Sequence, residues 1–253
     1  MLFLEGAFAQ GKVTETERLP APDGIEFLRK TVEEGAVRAE VHLVKWDPAR
    51  LTLAVMDNPD GALNLRSAAL KRGAMAAVNG GYFQPDRTPL GLVVWRGQEL
   101  HPLERAKLLS GLVVVRGGRV SLQRVAEFKS APAPEAALQA GPFLVDGGRE
   151  VAGLDTLRVA ARTVVWVDSK GGCGLLLCRS ATLSDTAKIL STPGLVGPGV
   201  VHRALNLDGG SSSGLWVGGA DPIYLRELKG VRNYLAVVRH PKSGVAAPAA
   251  GAR

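Results

Sequence analysis

The sequence predicts an α+β fold, a single domain of mixed, largely antiparallel sheets with a few short helices. Three observations carry this. β-rich runs outnumber helical ones, several of them face each other across Gly-rich turn signals, and the 253 residues include 31 glycines with only 5% aromatics. Short turns join antiparallel neighbours, whereas parallel strands need long crossovers. At 46% hydrophobic residues the chain can bury a core, and its length suits one large domain or two small ones.

In chain order, residues 37–46 and 51–55 are β-rich runs around Asp47-Pro48-Ala49-Arg50, which reads as a hairpin. Residues 65–72 are a short helical stretch. They lead into Ala74-Met75-Ala76-Ala77-Val78, a small-residue strand ending at Asn79-Gly80-Gly81. Residues 92–95 form a strand that meets the turn Arg96-Gly97, and residues 112–115 and 119–122 flank Gly117-Gly118 as a second hairpin. Ser130-Ala131-Pro132-Ala133-Pro134-Glu135 is a surface loop by composition, short for a domain linker. Residues 162–167 and 174–178 are strands joined through Lys170-Gly171-Gly172. Thr182 or Ser184 caps a helix running to about Leu190, with Asp185 in its first turn, and Pro193 stops it. Residues 204–207 enter a Gly/Ser turn, residues 215–217 leave it, and residues 234–238 are the last strand.

The termini read differently. Ala7-Phe8-Ala9 before Gln10 has the small-x-small pattern of a signal-peptidase site, preceded by the apolar Met1-Leu2-Phe3-Leu4. Residues 1–9 are therefore expected to be the remnant of a signal peptide, and residues 10–240 the domain. Residues 241–253, rich in Ala, Pro and Gly, are expected to form a disordered tail. The protein is expected to be exported, to the periplasm or outside the cell. No run of 18 apolar residues occurs, so no membrane span is expected.

The net charge of +7 favours anionic partners such as nucleic acid, acidic glycan or a phosphorylated substrate. No basic cluster is interleaved with aromatics, so nothing marks a nucleic-acid surface. The two cysteines, Cys173 and Cys178, fall on one predicted strand. Five residues of strand separate them by about 16 Å, beyond the roughly 7 Å that a disulfide spans between Cα atoms. Two buried free thiols are expected. His42, His101, His202 and His240 lack zinc-ligand spacing. No phosphate-binding Gly-rich loop, nucleophile elbow or C-x-x-C pair is present.

Four stretches could carry chemistry. In Asn206-Leu207-Asp208-Gly209-Gly210-Ser211-Ser212-Ser213 a strand delivers a carboxylate, followed by two glycines and three hydroxyls. Glycines let backbone N–H groups turn toward an oxyanion, and hydroxyls add donors. A polar turn would use the same letters. Asn79-Gly80-Gly81-Tyr82-Phe83 also ends a strand, where Asn could bond a sugar hydroxyl or a water; a hairpin turn would look alike. Gln139-Ala140-Gly141-Pro142 is a rigid turn before an apolar run. Arg162 opens an apolar strand, so it is partly desolvated and calls for an anionic partner, either a structural carboxylate or a substrate phosphate.

Taken in order, these stretches resemble the phosphodiester glycosidase family, that of the mannose 6-phosphate uncovering enzyme and its bacterial relatives. The resemblance rests on Ala77-Val78-Asn79-Gly80-Gly81-Tyr82-Phe83, Pro89-Leu90-Gly91-Leu92, Gln139-Ala140-Gly141-Pro142 with Asp146-Gly147, Ala161-Arg162-Thr163, Ala204 through Ser212, and Val231-Arg232-Asn233. It spans about residues 75–238 and is loose over the first 70. The helix before Asn206 often carries Glu in the family where this chain has Asp185.

The resemblance implies hydrolysis of a sugar-1-phosphate diester at the anomeric carbon, with an N-acetylglucosamine-type sugar as the best-known substrate, and secretion in many bacterial members. Such a bond breaks through an oxocarbenium-like transition state. Asp208 then stabilises the developing positive sugar or activates water. Arg162 and the turn Gly209, Gly210, Ser211, Ser212 hold the phosphate. Asn79 and Asn233, with Gly80 and Gly81, orient the sugar or the water. Asn79, Arg162 and Asp208 are expected to converge on one pocket. A divalent cation is left open as a cofactor, and the partner is a small-molecule or glycan phosphodiester. A non-catalytic module binding sugar phosphates, and a metal-dependent phosphodiesterase breaking P–O, are the alternatives.

Overall fold

The computed structural model describes residues 11–35 and 37–240. The expectations for residues 1–9, for a mature start at Gln10 and for the tail 241–253 lie outside them.

Among the described residues, three sheets build the fold. The largest orders its strands Lys12–Leu19, Ile25–Glu34, Val37–Trp46, Cys173–Ala181, Ala160–Asp168, Val201–Asn206, Phe143–Asp146 and Arg149–Glu150. The second runs Gln98–His101, Val93–Trp95, Ala136–Ala140, Gly111–Arg116 and Arg119–Arg124. The third runs Ile223–Leu225, Leu215–Val217, Ala76–Asn79, Asn233–Arg239 and Leu51–Asp57. Every pairing among the described strands of the three sheets is antiparallel. The α+β class therefore holds, and one core joins the sheets. Phe27, Val44 and Leu205 of the first, Val113 and Leu138 of the second and Val55, Val78 and Leu235 of the third share a single buried cluster.

The two α-helices among the described residues follow their local chemistry. Leu65–Arg72 begins at Asn64, whose Oδ1 accepts the N–H of Ser67, and ends at Gly73, whose φ of 66° suits a residue without Cβ. Leu183–Ser191 begins at Thr182, whose hydroxyl oxygen accepts the N–H of Asp185 and whose hydroxyl donates to the Asp185 carboxylate at 2.7 Å. Asp185 is thus engaged in capping its own helix. Cys173 and Cys178 are buried free thiols on one strand, and burial pushes both above the usual thiol range.

Two sequence expectations fail. Gln139 and Ala140, read as part of a rigid turn, belong to the strand Ala136–Ala140, paired with Leu112 and Gly111, and only Gly141-Pro142 links it to Phe143–Asp146. The second is the hairpin. Asp47-Pro48-Ala49-Arg50 does make a turn, with the N–H groups of Arg50 and Leu51 donating to the Asp47 carbonyl at 3.0 Å. Its flanks do not pair. Val37–Trp46 lies between Ile25–Glu34 and Cys173–Ala181, whereas Leu51–Asp57 pairs with Asn233–Arg239 in another sheet. The turn is a corner between sheets. All but the last residue of Leu51–Asp57 is buried, as befits a strand packed on both faces rather than one side of a surface hairpin. The hairpin around Gly117-Gly118 and the strand pair joined through Gly171-Gly172 form as expected. The polar strand Lys12–Leu19 carried no apolar alternation to reveal it.

Candidate active site

The site forms where strand ends of the first and third sheets meet. Ala76–Asn79 is fully buried and pairs on both sides, Leu215 opposing Val78 and Tyr234 opposing Asn79. This fixes Asn79 at a strand end with no exposure. In the first sheet Val164 opposes Asn206, and Leu207 continues past the strand by donating its N–H to the Thr163 carbonyl at 2.8 Å. Asp208 follows.

Asn79 ties the two ends together. Its Nδ2 donates to the Asp208 carbonyl at 2.7 Å, and the Asp208 N–H donates to the Gly80 carbonyl at 3.1 Å. Its Oδ1 accepts the Thr163 hydroxyl at 2.7 Å and the Gly214 N–H at 3.2 Å. Every polar valence of this buried amide is engaged within the protein. Asn233 is equally buried, with Oδ1 accepting the Gly81 N–H at 2.8 Å and Nδ2 lacking a partner among the described residues.

Gly80 and Gly81 owe their places to close packing. A Cβ on Gly80 would fall 1.9 Å from Asn233 Oδ1, and one on Gly81 would fall 2.9 Å from the Gln139 carbonyl. Their N–H groups donate to the Asn233 carbonyl and side chain, so they shape the wall from within.

Asp208 is partly exposed. One carboxylate oxygen accepts the Gly209 N–H at 2.8 Å. Burial raises its pKa above the ordinary carboxylate value, against the opposing pull of the Ser212 hydroxyl, the Gly209 N–H, Lys229 and Arg158. Gly210 takes a left-handed φ of 65° and opens the 3₁₀ turn Gly210–Ser212, whose Ser211 is exposed and Ser212 buried. The opening N–H groups of a helical turn have no acceptor within it.

Arg162 is 7% exposed. Its Nε donates to the Ala181 carbonyl at 3.0 Å and its Nη2 to the Arg158 carbonyl. No structural carboxylate within salt-bridge distance holds it among the described residues. Its Nη1 faces Gly209, where a Cβ would come to 3.8 Å. Arg162 thus lies beside Gly209, the residue that follows Asp208, while Asn79 is bonded to Asp208 directly.

Tyr82, Asn206, Thr163, Arg158 and Lys229 also belong to the site. The Tyr82 hydroxyl donates to the Gly141 carbonyl at 2.7 Å and accepts from Asn206 Nδ2 at 3.1 Å. Burial, then the charge of Asp208, raises its pKa, so it stays a neutral phenol. Tyr82, Asn206 and Thr163 stood inside conspicuous stretches of sequence. Arg158 and Lys229 sit on exposed loops and carried no motif.

Surface cavities of about 360 and 320 Å³ are lined by residues such as Lys107 and Val125 in one and Trp95 and Arg72 in the other, and neither is lined by Asn79, Arg162 or Asp208. Among the described residues no three His, Cys, Asp or Glu side chains gather as a metal would require. No described helix is long and apolar enough to cross a membrane.

Residues 72–238 match the family model described as phosphodiester glycosidase. No curated protein matches the sequence. Among solved structures, the catalytic domain of zebrafish N-acetylglucosamine-1-phosphodiester alpha-N-acetylglucosaminidase, auto-inhibited by its pro-peptide, superposes with a TM-score of 0.66 at 15% identity, over 90% of this chain and 88% of that one. A hypothetical protein from Synechocystis gives 0.63 at 19% identity, over 88% of this chain; the match spans only 63% of that protein. A Burkholderia pseudomallei protein described as a candidate for export gives 0.56 at 14% identity, over 79% and 74% of the two chains. At these identities the likeness is one of fold.

Proposed function

Because the chain belongs to the phosphodiester glycosidase family, we propose that it hydrolyses a sugar-1-phosphate diester at the anomeric carbon. The observation that carries this reading is a buried Arg162 guanidinium, with no carboxylate partner among the described residues, set beside Gly209, which follows the partly buried carboxylate of Asp208. The first suits a phosphate and the second a developing sugar cation.

In the reaction, a water oxygen bonds to the anomeric carbon while the bond from that carbon to the phosphate oxygen breaks. The phosphate leaves as a monoester with the electron pair, and the water proton passes to base. Phosphate is a good leaving group, so stabilising its charge matters more than protonating it. Arg162 and the Gly209–Ser212 turn supply donors there, and Arg158 and Lys229 add positive potential at the rim. Asp208 either stabilises the oxocarbenium-like sugar or takes the water proton, and both roles require it ionised. Asn79 and Asn233 act as positioning residues, since both are fully buried.

The substrate is an N-acetylglucosamine-type sugar phosphodiester of the cell envelope or extracellular glycan, met after export. Support comes from the name of the zebrafish enzyme that shares the fold, and from Ala7-Phe8-Ala9 in the sequence. Incubation with an N-acetylglucosamine-1-phosphate diester should release free sugar and a phosphomonoester, and the same assay with chelator reads whether a divalent cation takes part. Tight binding without turnover would favour a sugar-phosphate-binding module instead.

A further inference from the structure

We infer that the rim of this site is a docking surface that seats the protein on an anionic phospholipid bilayer. Six large apolar side chains are exposed among the described residues. Four of them stand on three loops joined to the walls of the site, each beside an exposed cation.

On the first loop, Leu157 and Val159, 88% and 60% exposed, flank Arg158. The Arg158 carbonyl accepts from Arg162. On the second, Leu228, 87% exposed, precedes exposed Lys229. The main-chain N–H groups of both donate to the Ser211 carbonyl, at 2.8 and 3.0 Å, which pins this loop to the Gly-Ser turn. On the third, Leu108, 48% exposed, follows exposed Lys107. This loop packs so closely on the Tyr82 wall that a Cβ on Gly141 would lie 2.0 Å from the Leu108 carbonyl oxygen.

Single exposed aliphatics are ordinary on any surface. Repetition of the aliphatic-plus-cation unit on three loops around one site is a different matter. It is the composition of surfaces that lie in a membrane interface, where aliphatic ends enter the acyl boundary and cations remain among the headgroups. Charge selects the occupant. The chain carries +7 overall, and on these loops the exposed cations Arg105, Lys107, Arg158, Arg226 and Lys229 outnumber the exposed acid Asp155, while Glu227 is buried against Leu65 and Tyr224. A second copy docked on the same face would set these cations against one another.

The test is co-sedimentation of the full chain with phosphatidylcholine vesicles, with and without phosphatidylglycerol. The protein should pellet with the anionic vesicles, remain in solution with neutral ones, and be released by added salt. The double substitution Leu157→Ser/Leu228→Ser should weaken binding about tenfold or more, the scale of losing buried aliphatic surface. It should leave the melting temperature in place. Leu70→Ser, at an exposed leucine of the helix Leu65–Arg72, should change nothing. Equal binding to neutral vesicles, undiminished binding by the double variant, or velocity sedimentation showing that these leucines hold two copies together would each overturn the inference. Because no substrate is present, the result stands apart from the proposed hydrolysis, and either can fail alone.

Discussion

The Asn79 side-chain amide donates to the main-chain carbonyl of Asp208 at 2.7 Å, linking the end of a strand in one sheet to the turn that follows a strand in another. The geometry of the carboxylate thus depends on a residue 0% exposed. Asn79→Ala would leave the Thr163 hydroxyl, the Gly214 N–H and the Asp208 carbonyl without their partner. Unpaired buried groups cost about 1–3 kcal/mol each. The variant should lose on the order of 3 kcal/mol in urea unfolding, and turnover should fall in the fraction that remains folded.

Arg162→Lys keeps the charge and loses the planar fork. A single ammonium on that stem cannot reproduce the donors to Ala181 and Arg158 and still face Gly209. KM should rise about tenfold and kcat should fall as well, because the phosphate is engaged in the ground state and its charge grows as it leaves. Steady-state kinetics checks this. A fall in kcat at constant KM would mean that Arg162 acts only on the transition state.

Asp208 links function to pH. Its folded pKa is raised, chiefly by burial. Its contribution to stability is therefore fully present below the unfolded value of 3.8 and is lost as pH rises through the folded value. At neutral pH the ionised group is a cost that Asn does not carry. Asp208→Asn should retain or slightly raise the melting temperature while lowering kcat by about a hundredfold or more. In the wild type, kcat should fall on the acid side at a pH above 3.8. A destabilised, fully active variant would remove Asp208 from the reaction.

Glu127 behaves oppositely. Arg203 donates to both of its carboxylate oxygens, at 2.6 and 2.8 Å, and holds its pKa at about 2 against an ordinary 4.5. That stability is present above pH 4.5 and is lost as pH falls toward about 2. With the Glu127 side chain 44% exposed, solvent screening limits the effect to below about 1 kcal/mol. Glu127→Gln should melt slightly lower than wild type at neutral pH, and the difference should vanish near pH 2 in parallel melts.

What the sequence revealed follows the range of the forces involved. The helix Leu65–Arg72 and the hairpin at Gly117-Gly118 are set by neighbouring residues, and both were legible. The corner at Asp47–Arg50 was not, because the partner of Leu51–Asp57 is Asn233–Arg239, far along the chain. Asp208 and Arg162 stood out as charges beside small or apolar residues at strand boundaries. The burial of Asn79 and Asn233 was hidden, since only the packing of two sheets decides whether a strand-end amide meets solvent. Arg158 and Lys229 were hidden because a loop cation looks the same wherever its loop goes.

The central claim concerns which bond breaks. Hydrolysis of an N-acetylglucosamine-1-phosphate diester in water enriched in heavy oxygen, followed by mass spectrometry of both products, tests it most directly. Attack at the anomeric carbon, beside Asp208, predicts the label on the released sugar and none on the phosphomonoester. Label on the phosphate would show that the P–O bond breaks and would contradict the glycosidase assignment.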